Sequence, residues 1–335
     1  MGPTIRIAID DSSQTGEARR TGLRMAAEIG LDDTRAGQVA IVVTEACTNI
    51  LKHARNGEIL LYLNQAARDG PALLEMLSLD RGPGMHDIEH CIADGYTTGS
   101  SLGQGLGAIR RLADESDFYS VPGSGTAILA RWIGSPAASR TPRMQAAAVN
   151  APKRGEEFCG DAWAFEEHEG LFTLLVADGL GHGYEASQAA QEAVRILQIH
   201  PGETPGCMID FVHRALRSLR GAAVAVARIE PDRGLVSFAG LGNVAARVYT
   251  GARPFQHLVS ANGTAGHVAG RIREFTYPWP SDGLLIMHSD GLASSTTLSQ
   301  DPSLILRDPA LIAGVLYRDF ARVHDDATVV VARAA

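Results

Sequence analysis

A break in periodicity divides this chain of 335 residues into two parts. The stretch GSPAASRTPRMQAAAVNAPKRGEE, residues 134–157, is rich in Ala, Pro, Ser and Arg and follows neither helical nor strand periodicity. Such a composition is typical of a linker. We therefore predict two domains, residues 1–135 and 155–335, joined by a linker over 136–154, because the chain is long enough to build two cores.

Composition and charge exclude several classes of function. The net charge of −8 argues against a surface for nucleic acid or for an anionic membrane. No apolar run approaches the roughly 18 residues of a membrane span, and the N-terminus lacks the apolar core of a signal peptide. The sequence therefore predicts a cytoplasmic protein with no nucleic-acid or membrane partner.

The first part predicts a mixture of helices and strands. Residues 34–54 carry apolar side chains at helical spacing, and 105–115 predict a second helix. Strands are predicted at 58–63, 72–80 and 125–133. On the polar side of the helix at 34–54, Glu45 and Asn49 are four residues apart, with Lys52 and His53 one turn further. Taken alone, this side is typical of a solvated helix face.

Two glycine-rich segments change the interpretation of that helix. Asp80 ends a predicted strand and is followed by Gly82 and Gly84. The loop TTGSSLGQGLG then leads into a helix, whose free N-terminal amides suit phosphate groups. Neither the P-loop pattern nor the dinucleotide fingerprint occurs here.

The second part predicts mainly strands. Apolar runs fall at 171–177, 221–229, 235–239, 244–249, 283–289 and 327–333. Helices are predicted at 184–199, 206–219 and 309–320. This pattern favours a β-sandwich flanked by helices over a doubly wound sheet.

Acidic residues stand at the ends of these strands. Asp178 and Asp290 each end an apolar strand and precede a glycine, Asp325 and Asp326 precede the last strand, and Asp161 begins the domain. Carboxylates that converge with no Lys or Arg nearby repel one another, and hard divalent cations relieve that repulsion. All-oxygen ligands favour magnesium or manganese, and two ions about 4 Å apart can activate a water against a phosphoryl group.

Four motifs in the second part resemble those of SpoIIE-type, PPM-family serine phosphatases, most closely the compact RsbX-like form. They are GD, ADGLGHG, HSDGL and DDATVVV, in family order. The resemblance implies that two Mn²⁺ or Mg²⁺ ions are held by Asp161, Asp178, Gly179, Asp290 and Asp325, with Asp326 adjacent or in the outer shell. Leu180 stands where eukaryotic members carry a histidine proposed as general acid. His182 either substitutes for it or orients the turn.

The motifs of the first part resemble the GHKL ATP-binding fold, an α/β sandwich with a mixed sheet, and within it the RsbT-like anti-sigma-factor serine kinases. The motifs are E-x-x-x-N-x-x-x-H, D-x-G-x-G, G-x-G-L-G and SGTAI. The resemblance implies ATP and Mg²⁺ as cofactors. It implies that Asn49 ligates Mg²⁺, that Asp80 binds the adenine amino group, and that Glu45 is the base. It also implies supporting roles for Gly82 and Gly84 at the base, for Gly103, Gly105 and Gly107 at the phosphates, and for Thr126 at adenine.

Together the two resemblances predict a bifunctional regulator of bacterial partner-switching or stress signalling. Its two domains would phosphorylate and dephosphorylate Ser or Thr on STAS-domain partner proteins. No phosphoacceptor-histidine helix precedes the first domain, which argues against a sensor histidine kinase. The alternative is a nucleotide-dependent binding module that sequesters or activates a sigma factor or a downstream phosphatase, with only the phosphatase half catalytic. A degenerate, partner-binding second half is a third hypothesis, against which the intact acid set argues.

Overall fold

The computed structural model divides the chain into two compact units. One comprises residues 1–140 together with 301–318, and the other comprises 141–300 and 319–335. The structure describes residues 4–54, 56–65, 72–92, 105–134, 143–250, 256–293 and 302–335. The first unit therefore includes a segment from late in the sequence, which the predicted division at one linker assigns to the second domain.

Helices are present at the five predicted positions, 34–54, 105–115, 184–199, 206–219 and 309–320, whereas those at Ser12–Glu28 and Ile88–Ile92 had no predicted bounds. The α-helices of the described residues are α1 (Ser12–Glu28), α2 (Asp33–Asn49), α3 (Ile88–Ile92), α4 (Gly105–Leu112), α5 (Tyr184–Ile199), α6 (Pro205–Ala215) and α7 (Pro309–Phe320). A π-helical turn (Ile50–Ala54) continues α2, and 3₁₀ turns span Leu216–Ser218, Pro231–Arg233 and Pro302–Leu306. Asp11 and Asp32 cap α1 and α2 by accepting hydrogen bonds from first-turn amides. Within the described ranges, no helix combines the length and apolarity needed to cross a bilayer.

The strands of the described residues form three five-stranded sheets and one two-stranded sheet. Those of the first unit are β1 (Ile5–Ala8), β2 (Gly57–Gln65), β3 (Ala72–Asp80), β4 (Glu115–Ser120) and β5 (Thr126–Ile133). Those of the second unit are β6 (Met144–Ala151), β7 (Asp161–His168), β8 (Leu171–Gly179), β9 (Ala222–Glu230), β10 (Leu235–Leu241), β11 (Ala245–Tyr249), β12 (Gln256–His257), β13 (Gly263–Thr264), β14 (Val268–Ala269), β15 (Phe275–Pro278), β16 (Leu284–His288) and β17 (Ala327–Ala334).

The first unit packs two helices on one face of its sheet. The strand order is β1-β2-β3-β5-β4, and every pair is antiparallel. The apolar stripe of α2, including Val39 and Val43, forms a core with Leu61, Met76 and Trp132 of the sheet. The predicted α/β sandwich is confirmed. The sheet is not mixed, because β2–β3 and β4–β5 are hairpins and the remaining pairs are also antiparallel.

The opposite face of the same sheet is covered by α7. A Cβ built on Gly314 would lie 3.1 Å from a methyl carbon of Leu77 and 3.2 Å from one of Leu79. Every residue of α7 from Pro309 to Arg318 is buried. The helix predicted at 309–320 is confirmed, but nothing in the sequence indicates that its first ten residues belong with β3 rather than with the strands around them.

A buried ionic network fastens the start of α7 to this sheet. Arg131 of β5 donates two hydrogen bonds to Asp308, at 2.6 and 2.7 Å, and one to Glu75 of β3, at 2.8 Å. Glu75 is fully buried and also accepts from Asn64 at 2.8 Å. Asp117 accepts from the backbone N–H of Asp308 at 2.9 Å. Each buried charge thus has an opposite charge and polar partners, which offsets the cost of taking it out of water.

The second unit is a sandwich of two five-stranded sheets, ordered β15-β10-β9-β8-β7 and β12-β11-β16-β17-β6. Their facing sides share one core, which includes Phe172, Val176, Phe238, Met287 and Val330. Helices α5 and α6 cover the other side of the first sheet, with alanines of α5 packed against β8 and β9. This is the predicted sandwich flanked by helices, and the two-domain α+β fold class is confirmed.

The sequence prediction missed several strands. Residues 144–151, which composition places in the linker, form β6 and pair along their whole length with β17. Their side chains are mostly Ala, so the strand shows little of the polar–apolar contrast on which periodicity depends. The predicted helix at 105–115 ends at Leu112, and β4 starts at Glu115. The short strand β1 was not predicted either.

Replacing Gly291 by alanine is expected to destabilise the second unit. A Cβ at this position would lie 1.8 Å from the carbonyl oxygen of Asp326, so the backbone on one side must move. We expect a loss of about 2 kcal/mol in unfolding free energy, measured by urea denaturation. Gly270→Ala is the control, because a Cβ there meets nothing within 4 Å. Equal stability of the two variants would contradict the close approach of Gly291 to the backbone of Asp326.

Candidate functional site

Asp80, at the end of β3, holds the turn that follows it. Its Oδ1 accepts hydrogen bonds from the backbone N–H of Gly82 at 2.8 Å and of Thr126 at 3.2 Å. Burial raises the pKa of the Asp80 carboxyl, and these two amides, with the charges of Arg318 and His53, oppose that shift. The carboxylate is therefore fixed in one orientation by the backbone around it.

Glycine is required at the predicted positions around Asp80. A Cβ at Gly82 would lie 2.9 Å from Cα of Ala54, and one at Gly84 would lie 2.1 Å from the carbonyl oxygen of Val121. Gly84 also has a φ of +67°, a conformation that side chains disfavour. The backbone therefore closes tightly around the turn that carries Asp80.

Glu45 and Asn49 lie one turn apart on α2, and both face the start of α4. A Cβ at Gly105 would lie 2.8 Å from Oε2 of Glu45 and 3.4 Å from Oδ1 of Asn49. The Nδ2 of Asn49 is buried and has no hydrogen-bond partner among the described residues. Because an unpaired buried amide costs free energy, this atom marks a position where a bound ligand would supply a partner. The residues therefore fit a nucleotide with its cation.

Of the remaining residues predicted to bind the nucleotide, the structure describes Gly107 and Thr126. Gly107 is buried within α4, and Gly103 lies outside the described residues. Thr126 is 8% exposed, and its hydroxyl lies 3.0 Å from that of Ser120. Ser120 also accepts from the backbone N–H of Met85 at 2.9 Å. The sequence prediction missed Ser120, because a serine at the end of a strand gives no signal of its own.

In the second unit, two of the predicted acids face each other across neighbouring strands. Asp161 begins β7, Asp178 lies near the end of β8, and the two are partners in the antiparallel register. Asp161 is 3% exposed, and its Oδ2 has no hydrogen-bond partner in the described part of the chain. A buried carboxylate oxygen of this kind suits a cation.

Asp290 and Asp325 approach the same place from the other sheet. Asp290 follows β16, and Asp325 precedes β17, which pairs with β16. Burial raises the pKa of Asp178 well above its usual range, and the charges of Asp161, Asp290 and Asp325 raise it further. Burial likewise raises the pKa of Asp161, against hydrogen bonds from Ser289 and Thr328. Asp161, Asp290 and Asp325 therefore all lie near enough to Asp178 for their charges to act on it.

The arrangement suits ions that take few protein ligands each. Among the described residues, no three His, Cys, Asp or Glu side chains form a group that could hold one ion together. Mg²⁺ is commonly bound through one or two carboxylates and keeps several waters. The register pair Asp161 and Asp178 therefore offers the kind of carboxylate oxygens that a hydrated divalent cation binds.

Asp326 has a different position from the four acids. Its Oδ1 accepts from the backbone N–H of Lys153 at 2.8 Å, and a Cβ at Gly160 would lie 2.6 Å from its Oδ2. Gly160 in turn accepts from the backbone N–H of Gly179 at 3.0 Å. Asp326 therefore holds the turns that carry Asp161 and Gly179, and its Oδ2, like that of Asp161, is buried without a hydrogen-bond partner in the described part of the chain.

Several polar residues that the prediction missed hold the acids in place. Asn243 donates to Oδ2 of Asp290 at 2.6 Å. Asn150 donates to Thr328 at 2.7 Å and to the carbonyl oxygen of Asp161 at 3.1 Å. Ser289 accepts from the backbone N–H of Thr328 at 3.0 Å. Ser289 and Thr328 stand inside quoted motifs, whereas no pattern marks the asparagines.

The surroundings of the acids are less uniformly acidic than expected. The positive charges of Arg322 and Lys153 counteract the raised pKa of Asp325.

His182 is half-exposed, and its Nδ1 lies 2.8 Å from Oε1 of Glu156. This contact orients the His182 ring and the turn that carries it.

Comparisons with protein families divide the chain in the same way as the motifs. Residues 10–132 match the histidine kinase-like ATPase domain, and residues 168–335 match the stage II sporulation protein E (SpoIIE) family. The serine/threonine-protein kinase RsbT of Bacillus subtilis (strain 168) is 35% identical over 117 residues, which cover 35% of this chain and 86% of RsbT. The phosphoserine phosphatase RsbX of the same organism is 21% identical over 140 residues, which cover 42% of this chain and 70% of RsbX.

Two solved structures share the fold of part of this chain. One comes from work on the bacterial stressosome as a modular system that has been adapted to control secondary messenger signalling. It has a TM-score of 0.53 and 25% sequence identity, and the match covers 57% of this chain and 100% of that chain. A crystal structure of RsbX in complex with magnesium has a TM-score of 0.50 and 18% identity, and covers 59% of this chain and 98% of its own.

Replacing Asp178 by asparagine is expected to stabilise the protein in the presence of EDTA. Because the folded-state pKa is raised, the ionised carboxylate opposes folding, and its cost grows as pH rises above the unfolded pKa. Near pH 4 the two proteins should melt together, and at pH 8 the variant should melt about 3 °C higher. Differential scanning calorimetry measures this, with exposed Asp210→Asn as the control. A lower melting temperature for Asp178→Asn than for the wild type at pH 8 would show that the ionised Asp178 carboxylate does not oppose folding.

Binding of Mn²⁺ to the full chain is expected to release protons and to strengthen as pH rises. The raised pKa values of Asp161 and Asp178 mean that protons compete with a cation for these oxygens. Titration calorimetry in buffers of different ionisation enthalpy counts the protons released. If the observed heat is the same in every buffer, Mn²⁺ binding releases no protons, and the expectation is wrong.

Proposed function

The chain belongs to the SpoIIE family through its C-terminal half and to the RsbT-like serine/threonine-protein kinases through its N-terminal half, and from this we propose that it is a bifunctional regulator of bacterial partner-switching or stress signalling. It is a PPM-type serine/threonine phosphatase with an RsbT-like kinase domain, and it uses ATP and a divalent metal. Its two activities phosphorylate and dephosphorylate Ser or Thr on STAS-domain partner proteins in the cytoplasm. We place the domains at residues 1–135 and 155–335, with the first ten residues of α7 added to the first domain.

The observation that carries the phosphatase half is the meeting of four acids from distant parts of the sequence. Asp161 and Asp178 are register partners, and Asp290 and Asp325 act electrostatically on Asp178. These side chains, with the carbonyl oxygen of Gly179, would hold two Mn²⁺ or Mg²⁺ ions. When bound, such ions ionise a water and stabilise the charge on a phosphoryl group. Asn243 and Asp326 keep the ligands in place through the contacts described above.

The kinase half relies on positioning rather than on covalent chemistry. Asn49 would ligate Mg²⁺, Asp80 would bind the adenine amino group, and Gly105 allows phosphates to approach α2. Glu45 is the base that accepts the proton of the substrate hydroxyl. Its position beside Gly105 and Asn49 supports this role, because phosphoryl transfer needs a carboxylate within reach of the transferred group.

Two substitutions in the full chain are expected to separate the two activities. Glu45→Gln should abolish transfer of label from ATP to a cognate STAS protein while ADP binding persists. Asp290→Asn should leave this transfer intact and abolish manganese-dependent release of phosphate from the labelled STAS protein, by at least about a hundredfold. Electrophoresis of the labelled protein measures both steps. The full chain is used because a fragment ending near residue 140 lacks α7.

Different failures of this experiment have different meanings. If the wild-type chain binds ADP but labels no STAS protein, the first half is a nucleotide-dependent binding module for a sigma factor or a downstream phosphatase. If phosphate release persists in Asp290→Asn, the acids do not form the phosphatase site. Asp282→Asn, at an exposed residue outside the acid set, is the matched control and should retain both activities.

A further inference from the structure

The last turn of α7 contacts Asp80, the residue proposed to bind adenine, and its neighbour Arg81. Nη1 of Arg318 donates to the backbone carbonyl oxygen of Asp80 at 3.2 Å, and the guanidinium of Arg81 donates to the backbone carbonyl oxygen of Arg318. Arg318 is 5% exposed. The last turn of α7 and the Asp80–Arg81 pair therefore exchange two hydrogen bonds.

These bonds complete the set of contacts that fix Asp80. The side chain of Asp80 is held by the amides of Gly82 and Thr126. Its backbone carbonyl oxygen would lie 2.0 Å from a Cβ at Gly125, so it has little room to move on that side. Arg318 adds a hydrogen bond from α7, outside the sheet and its loops.

The helix that presents Arg318 is firmly placed. Arg131 and Asp308 form their bidentate pair at its start, and Gly314 at its middle permits close approach to Leu77 and Leu79. A side chain carried by an element fixed at several points loses little further freedom when it positions a neighbour.

We propose that Arg318 is a positioning residue of the nucleotide site, which the sequence supplies from its C-terminal half. The inference rests on the proposed ATP-binding function of the first half. Arg318 acts through the backbone of Asp80, so it aligns the carboxylate with the amino group of adenine. Affinity for adenine nucleotides, and preference for them over bases that lack this amino group, therefore depend on α7.

The test compares ADP with inosine diphosphate (IDP), both with Mg²⁺, by titration calorimetry on the full chain. IDP has a carbonyl in place of the amino group and gains nothing from an aligned Asp80. Arg318→Met should weaken ADP binding about fivefold, the effect of one lost hydrogen bond, and leave IDP binding unchanged. Arg318→Lys retains a donor and should recover part of the ADP affinity.

Arg35→Met is the matched control. Arg35 also donates from its guanidinium to a backbone carbonyl of the first unit, that of Ile133, at 2.7 Å, and it has no contact with Asp80. This variant should bind both nucleotides as the wild type does. Equal losses for ADP and IDP in both Arg318 variants would show a purely structural role and overturn the proposal, as would unchanged ADP binding. If the wild-type chain binds neither nucleotide, the ATP-binding function fails as well.

Discussion

Repulsion between buried carboxylates is the constraint on which the second unit depends. Asp161 and Asp178 are opposed by the register of β7 and β8, and the sandwich core behind them keeps the strands from separating. Strands packed on both sides cannot slide by one residue without moving their apolar side chains out of the core. The fold therefore holds like charges together at a cost in stability, and hydrogen bonds from Asn150 and Asn243 keep the loops around them in place.

The two proposed sites would handle the same chemical group, a phosphoryl group, by opposite means. At the nucleotide site, glycines at 82, 84 and 105 let the backbone and α2 come close, and the acid set is small. At the second site, acidic side chains provide the binding surface. Gly291 has a different role there, because it lets its own turn approach the backbone of Asp326. A site that donates a phosphoryl group must hold polyphosphate closely, whereas a site that hydrolyses a phosphoester must hold cations and a water.

Most elements of the fold could be predicted because their periodicity is strong. The stripe of α2 and the apolar runs of β8, β9 and β16 were predicted within a few residues, and so were the acids that end them. The strand β6 could not be predicted, since its alanines suit many environments. Asn243 and Ser120 could not be predicted either, because their importance depends on contacts with residues far away in sequence. The membership of α7 in the first unit depends on contacts distant in sequence, such as Arg131 with Asp308 and Gly314 with Leu77, that no local pattern contains.

The position of α7 in the chain also determines when the first unit can finish folding. Domains generally fold as they emerge during synthesis, N-terminal first. Here the sheet that carries Asp80 has one face that stays uncovered until residues 309–318 have been made, after nearly all of the second unit. Arg131 contacts Glu75 within the sheet but lacks its second acidic partner, Asp308, until the same point. A ribosome that stalls before this point leaves the first unit without the helix that packs on β3, although nearly all of the second unit has been made.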